Sequence, residues 1–68
     1  MKDQDLVRMA NQIAGFFDSY PREKAVAGVA DHILNFWDPR MRAQYIAYVK
    51  SNGADLSDSA RMAAALLN

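Results

Sequence analysis

The residues of this 68-residue chain that could do chemistry are few, and His32 is its only histidine. Its neighbour Asp31 cannot support it as a catalytic pair, because adjacent residues of a helix do not face each other. The chain has no cysteine, so a metal site at His32 would need carboxylates from other helices. We therefore interpret His32 as a histidine at a helix surface or boundary and expect no metal site.

The acidic and hydroxyl residues show no catalytic pattern either. A general acid needs a carboxyl group in an apolar pocket that raises its pKa, whereas the candidate carboxylates fall at predicted helix ends or on polar faces. No serine has the histidine at a spacing typical of nucleophilic catalysis, and the glycines are scattered singly, so there is no phosphate-binding loop. We expect no enzymatic activity and no cofactor bound by this chain alone. The residues considered are Asp18, Glu23, Asp31, Asp38, Ser19, Ser51, Ser57 and Ser59.

The stretch HILNFWDPRMR, residues 32–42, instead concentrates side chains suited to recognition. Phe36 and Trp37 are expected to close the end of the core. Trp37 could instead anchor an interface, since tryptophan is the residue type most enriched among binding hot spots. Arg40 and Arg42 are either solvated or face a partner, since the guanidinium group binds carboxylates and phosphates bidentately. A positive charge in the first turn of a helix is mildly unfavourable. This favours contact of the two arginines with a partner over simple solvation.

Asn11 and Gln12 form a second candidate surface in the middle of the first predicted helix. Both amides are flanked by apolar residues. They belong either to a solvated polar face or to a contact in which the amides pair with the backbone of a partner, because a buried amide needs hydrogen-bond partners.

Helices are expected to position all of these residues. Apolar residues recur at helical spacing from Leu6 to Phe17, with Asp3 or Asp5 as the predicted N-cap, and Pro21 ends the pattern. A second helix is predicted from about Arg22 to Phe36. Small residues fill its first half and include Gly28, which costs roughly 1 kcal/mol in a helix and so indicates close packing inside the domain or against a partner.

The third and fourth helices have clearer start signals. Asp38-Pro39 predicts an N-cap followed by proline at the first helical position, and the helix continues to about Lys50 before the stop at Asn52-Gly53. Ser57 or Asp58 caps a last helix that runs to about Leu67. That helix is too short to be stable alone, so it either docks on the first three or becomes ordered against another chain.

The fold class predicted is therefore all-α, a single domain over residues 1–68 with a small bundle of three main helices plus a short C-terminal helix. Eight basic residues balance eight acidic ones, and this zero net charge argues against a nucleic-acid partner. No apolar run approaches the roughly 20 residues needed to span a bilayer, and no secretory signal is evident. We expect a cytoplasmic protein without a membrane partner.

Three blocks of residues give the chain a family resemblance. From roughly Leu6 onward it resembles the delta subunit of NAD-dependent formate dehydrogenase, a family of short bacterial cytoplasmic proteins. The most specific block is FWDPRMR, residues 36–42, and the next is MANQIA, residues 9–14. After Gly53 the chain shares only a general pattern with the family, a glycine-containing loop followed by a helix of small residues. The third block is AVAGVADHI, residues 25–33.

The resemblance implies an accessory role. In such enzymes the large subunit holds a molybdenum or tungsten bis-pterin cofactor and iron–sulfur clusters, and another subunit carries flavin and the NAD site. The delta subunit would support assembly, stability or full activity by docking on the catalytic, large subunit. The partner-binding residues expected here are Asn11, Gln12, His32, Trp37, Asp38, Arg40 and Arg42.

Two other functions compete with this interpretation. A generic helical adaptor could form a homodimer through its apolar helices and bind another client protein, and a homo-oligomer would also stabilise so small a core. A helix-turn-helix regulator should carry a polar, basic recognition helix. The third helix instead carries Tyr45, Ile46, Tyr48 and Val49, which disfavours DNA binding.

Overall fold

The computed structural model describes residues 1–67 and confirms the all-α fold class. The four α-helices are α1 (Asp3–Phe17), α2 (Arg22–Phe36), α3 (Pro39–Ser51) and α4 (Asp58–Ala63), and a 3₁₀ turn follows at Ala64–Leu66. No residue of the described range 1–67 lies in a strand. No helix in this range is both long enough and apolar enough to cross a membrane.

The start of α1 differs from the sequence prediction. Lys2 occupies the N-cap position without a side-chain cap, and Asp3 and Asp5 lie inside the first turn instead of capping it. The Asp3 carboxylate is engaged elsewhere, because Gln44 of α3 donates to its Oδ1 at 2.9 Å. Both carboxylates still lie at the positive end of the helix dipole, where negative charge is favourable.

The predicted boundaries of α2 and α3 are confirmed. Asp38 caps α3, with its Oδ1 accepting a hydrogen bond from the backbone N–H of Met41 at 2.9 Å, and Pro39 opens the helix. Gly53 ends it in the left-handed conformation, with φ of 67°, as the Asn-Gly pair predicts. Asp55 also has a positive φ, 66°, which the sequence does not indicate.

The last helix is shorter than predicted. Ser57 caps α4 by accepting a hydrogen bond from the backbone N–H of Ala60 at 3.3 Å, but the α-helix ends at Ala63 and tightens into the 3₁₀ turn. Such tightening is common at helix ends, where the last carbonyls lack α-helical partners. Because α4 packs on α2 and α1, it docks on the other helices of its own chain.

The core lies where α2 meets α1 on one flank and α4 on the other, while α3 packs on α1 and the 3₁₀ turn. Alanines at the contacts let the helices approach closely, and larger apolar side chains fill the space between them. The fully or almost fully buried members include Leu6, Ala10, Ala14, Val29, Ile33, Tyr45, Ala60 and Ala63.

Tyr45 is the largest fully buried side chain and joins α3 to α4. Its hydroxyl donates a hydrogen bond to the carbonyl oxygen of Ala60 at 2.5 Å. Burial raises the pKa of the Tyr45 phenol above its ordinary value, and the positive charge of Arg61 opposes part of that rise. Tyr45 is therefore a neutral hydrogen-bond donor in the core.

Candidate functional site

Trp37 lies in the core of the chain, and Phe36 does not. Trp37 is only 5% exposed and meets the Tyr45 ring edge to face, with centroids 5.5 Å apart. Phe36 is 74% exposed, so the expectation that both aromatics close the core is wrong for Phe36. The backbone is extended at Trp37, where α2 ends. The Trp37 ring points into the core there, and the Phe36 ring remains in solvent.

The two arginines of the stretch 32–42, Arg40 and Arg42, have different surroundings. Arg42 is half-buried, and its Nη1 donates a hydrogen bond to the backbone carbonyl of Trp37 at 2.8 Å. Arg40 is exposed, and within residues 1–67 no ion pair involves it. The guanidinium group of Arg40 therefore lies in solvent, whereas Arg42 links the end of α2 to the start of α3.

Asn11 bonds to backbone, but to the backbone of its own chain. Its Nδ2 donates to the carbonyl of Asp55 and its Oδ1 accepts from the N–H of Ser57, both at 2.9 Å. The amide thus fastens α1 to the loop that precedes α4. Gln12 lies on the exposed side of α1.

A groove lined by aromatic rings lies between α1 and α2. Its lining, which we call the aromatic groove, consists of Ile13, Phe16, Phe17 and His32. The Phe17 ring lies directly on Gly28, where an added Cβ would be 2.5 Å from the ring carbon Cδ1. The close packing that Gly28 predicts is therefore inside the domain, and the bare backbone there lets Phe17 form the floor of the groove.

His32 forms one wall of the aromatic groove. Its half-buried imidazole packs against the exposed ring of Phe36, with centroids 4.7 Å apart and planes 36° apart. Among residues 1–67 there is no group of three or more His, Cys, Asp or Glu side chains that could hold a metal ion. The surroundings of His32 are thus apolar and aromatic.

Phe16, which the sequence analysis did not single out, forms the opposite edge. It is 71% exposed and meets Phe17 edge to face at 5.1 Å. A signal was present in the sequence, because Phe16 lies beside the apolar stripe that runs from Leu6 to Phe17 and not on it. An aromatic off the buried stripe of an amphipathic helix is a candidate contact residue.

A second apolar surface lies between α2 and the last helical segment, α4 with its 3₁₀ turn. Met62 and Leu66, 47% and 52% exposed, face Val26 and Ala27 across an open groove, whose lining also includes Arg22 and Glu23. We call this the α2–α4 groove.

The polar groups between α1, α2 and α4 join helices to one another. Ser59, predicted in a turn or cap, lies within α4 and is buried, and its hydroxyl donates to Oδ1 of Asp18 at 2.7 Å. Arg22 lies 3.8 Å from the carboxylate of Asp58. These contacts occupy Ser59 and the two carboxylates in fastening α4 to the first two helices.

Comparison with known protein families identifies the family of the chain. The family model described as NADH-dependent formate dehydrogenase delta subunit FdsD matches residues 5–64, which is nearly the whole chain. The match begins in the first turn of α1 and ends at the first residue of the 3₁₀ turn. No curated protein and no solved structure matches.

Proposed function

Because the chain belongs to the NADH-dependent formate dehydrogenase delta subunit family, we propose that it is a non-catalytic accessory subunit that docks on the catalytic subunit of that enzyme in the cytoplasm. The family match over residues 5–64 is the observation that carries this proposal. The zero net charge and the two exposed apolar surfaces agree with a protein partner.

Docking would support the enzyme through differential binding. A subunit that binds the cofactor-loaded conformation of the catalytic subunit better than the empty one shifts the population toward the loaded form. It also stabilises that form against unfolding by mass action. Neither effect requires a catalytic group on the delta chain.

The residues proposed for docking contribute in two ways. Gln12, His32 and Arg40 would touch the partner, since they are exposed or half-buried at the surface. The remaining four would keep the surface in shape through internal packing or hydrogen bonds; these are Asn11, Trp37, Asp38 and Arg42.

The direct test is coexpression of the catalytic subunit with and without the tagged delta chain. We expect the two proteins to copurify, and we expect the catalytic subunit made without the delta chain to contain less molybdenum or tungsten or to oxidise formate more slowly. Equal metal content and equal activity in both preparations, with no copurification, would show that the accessory role is wrong.

Arg40 offers a test of the charged part of the contact. If it meets a carboxylate of the catalytic subunit at the rim of the interface, Arg40→Ala should weaken capture at low salt and make the remaining capture less dependent on salt. Lys50→Ala, at the exposed last turn of α3, is the matched control for loss of one positive charge. Undiminished capture by Arg40→Ala would remove Arg40 from the interface.

A further inference from the structure

Two phenylalanines stand out of the surface, and each is held there by a half-buried neighbour. Phe16 and Phe36 are 71% and 74% exposed. Phe17 contacts the Phe16 ring edge to face at 5.1 Å, and His32 packs against the Phe36 ring at 4.7 Å. Each exposed ring is therefore supported from one side, so less conformational freedom is lost when a partner covers it.

The floor of the aromatic groove is also closely packed. Gly28 leaves no side chain on the α2 surface, and the Phe17 ring fills that space at a distance that an added Cβ would not allow. Ile13 packs against the core beside it. A glycine inside a helix costs roughly 1 kcal/mol relative to alanine, and here the cost accompanies a close approach that shapes the aromatic groove.

The charges near the aromatic groove limit what can fill it. Its lining of Ile13, Phe16, Phe17 and His32 contains no carboxylate, ammonium or guanidinium group. On α1, the charges of Arg8 and Asp5 pair with each other at 3.4 Å. A charged side chain inserted in the groove would lose water without meeting an opposite charge, so the complementary occupant is uncharged.

Resting on the proposed function, we propose that the aromatic groove, together with the Phe36 ring that packs against its His32 wall, receives an uncharged apolar segment of the catalytic subunit. Aromatic anchors at the centre of an interface typically carry a large part of the binding free energy. The segment would place aliphatic or aromatic side chains against the lining of the groove and the Phe36 ring, and Gln12 on the exposed side of α1 would donate and accept hydrogen bonds beside it.

The α2–α4 groove fits this role less well and provides the control. Arg22 and Glu23 contribute charges to its lining, and the Nη1 of Arg22 is already directed at the sulfur of Met62, 3.6 Å away. Met62 and Leu66 are flexible apolar side chains, 47% and 52% exposed against 71% and 74% for Phe16 and Phe36. Truncating them removes two exposed apolar side chains, although less apolar surface in total, on the other flank of α2.

The experiment measures capture of the catalytic subunit by three full-length chains. These are the wild type, Phe16→Ala/Phe36→Ala and Met62→Ala/Leu66→Ala. Capture is compared at about 0.1 M and about 1 M salt, which shortens the Debye length from about 10 Å to about 3 Å. We expect the phenylalanine variant to bind about tenfold more weakly, or worse, at both salt concentrations, and the control to stay within about twofold of the wild type.

A second measurement covers the case in which the phenylalanine variant loses its helical circular dichroism. A photo-crosslinking residue at position 16 should then label the catalytic subunit, whereas one at position 66 should not. Labelling from position 66 alone, or full capture by a folded phenylalanine variant, would overturn the groove assignment and leave the accessory role intact.

Two further outcomes separate this inference from the proposed function. If the wild-type chain captures no catalytic subunit, both are wrong. If the isolated wild-type chain sediments as a dimer that Phe16→Ala dissociates, a second copy fills the aromatic groove, and the groove assignment is wrong.

Discussion

Asn11 shows how one side chain can have the expected chemistry in an unexpected place. A mid-helix amide surrounded by apolar residues suggests bonds to backbone groups, and the structure has two such bonds. Both go to the loop before α4, where Asp55 adopts a left-handed conformation that non-glycine residues rarely take. The amide therefore stabilises a strained turn inside the chain.

Replacing Asn11 by alanine should lower the free energy of unfolding by about 1–3 kcal/mol, since two hydrogen bonds to the loop are lost. Gln12→Ala is the matched control, because Gln12 is exposed on the same helix, and its effect should stay within about 0.5 kcal/mol. Denaturant unfolding of both variants measures the difference. Equal stabilities would mean that the loop does not depend on the Asn11 amide.

The buried phenol of Tyr45 should make the protein less stable at alkaline pH. The unfolded phenol ionises near pH 10, whereas burial raises the pKa of the folded one. Above about pH 10 the unfolded state releases a proton that the folded state keeps, so the free energy of unfolding falls as pH rises. Below that pH the contribution is complete and constant.

Tyr45→Phe should flatten this alkaline decline while lowering stability at neutral pH by about 1–2 kcal/mol, because the hydrogen bond to Ala60 is lost. Tyr20→Phe is the control for removal of one phenol hydroxyl, since Tyr20 is exposed. Unfolding free energies measured from neutral pH to above pH 10 compare the three proteins. An unchanged decline in Tyr45→Phe would assign it to other groups.

At the scale of helices, replacement by alanine should have opposite effects on stability at the two helical glycines, Gly15 and Gly28. A Cβ at Gly15 would meet nothing within 4 Å, so Gly15→Ala should stabilise the protein by about 0.5–1 kcal/mol. A Cβ at Gly28 would collide with the Phe17 ring, and overpacking of this kind costs typically about 1–3 kcal/mol.

Thermal unfolding of the two alanine variants measures these opposite shifts directly. A stabilised Gly28→Ala protein would mean that the Phe17 ring moves aside easily, and that the floor of the aromatic groove is less fixed than its packing indicates. The variant Gly28→Ala/Phe17→Leu, which shortens the colliding side chain, should recover part of the loss.

The helices could be predicted from the sequence because their limits depend on local chemistry. Pro21, Asp38-Pro39 and Asn52-Gly53 are strong local signals for the start or end of a helix, and the limits of α2 and α3 follow them. The N-terminal cap was mispredicted because Asp3 bonds to Gln44 on another helix, and local sequence does not reveal such a contact.

The surface was harder to predict because it depends on contacts between helices that local sequence does not reveal. Phe36 and Trp37 are adjacent at the end of one apolar stripe, and which ring turns inward depends on the path of the chain into α3. Asn11 faces the loop of residues 55–57 only because α4 folds back onto α1 and α2. The exposure of Phe16 likewise depends on where α2 crosses α1.

At the scale of the whole molecule, a small core and a large exposed apolar surface occur together. A chain of this length buries only roughly 60% of its unfolded surface, and seven large apolar side chains remain exposed within residues 1–67. A partner that covers one of these surfaces therefore removes apolar area from water that the chain cannot bury by itself.

The midpoint temperature of unfolding should rise with the concentration of the catalytic subunit. A partner at about 100 times its Kd stabilises the folded chain by about 2.7 kcal/mol. Calorimetry of the mixture at several ratios measures this rise, and the Phe16→Ala/Phe36→Ala variant should show less of it. A midpoint that does not depend on the concentration of the catalytic subunit would argue against docking.

The burial of Trp37, the chain's single tryptophan, makes it an intrinsic optical probe. Its indole lies in the core beside Tyr45 and is not part of the lining of the aromatic groove. Its emission should therefore shift to longer wavelength when the chain unfolds and change little when the groove is filled. One fluorescence spectrum of each variant would then distinguish a chain that no longer folds from one that folds and no longer binds.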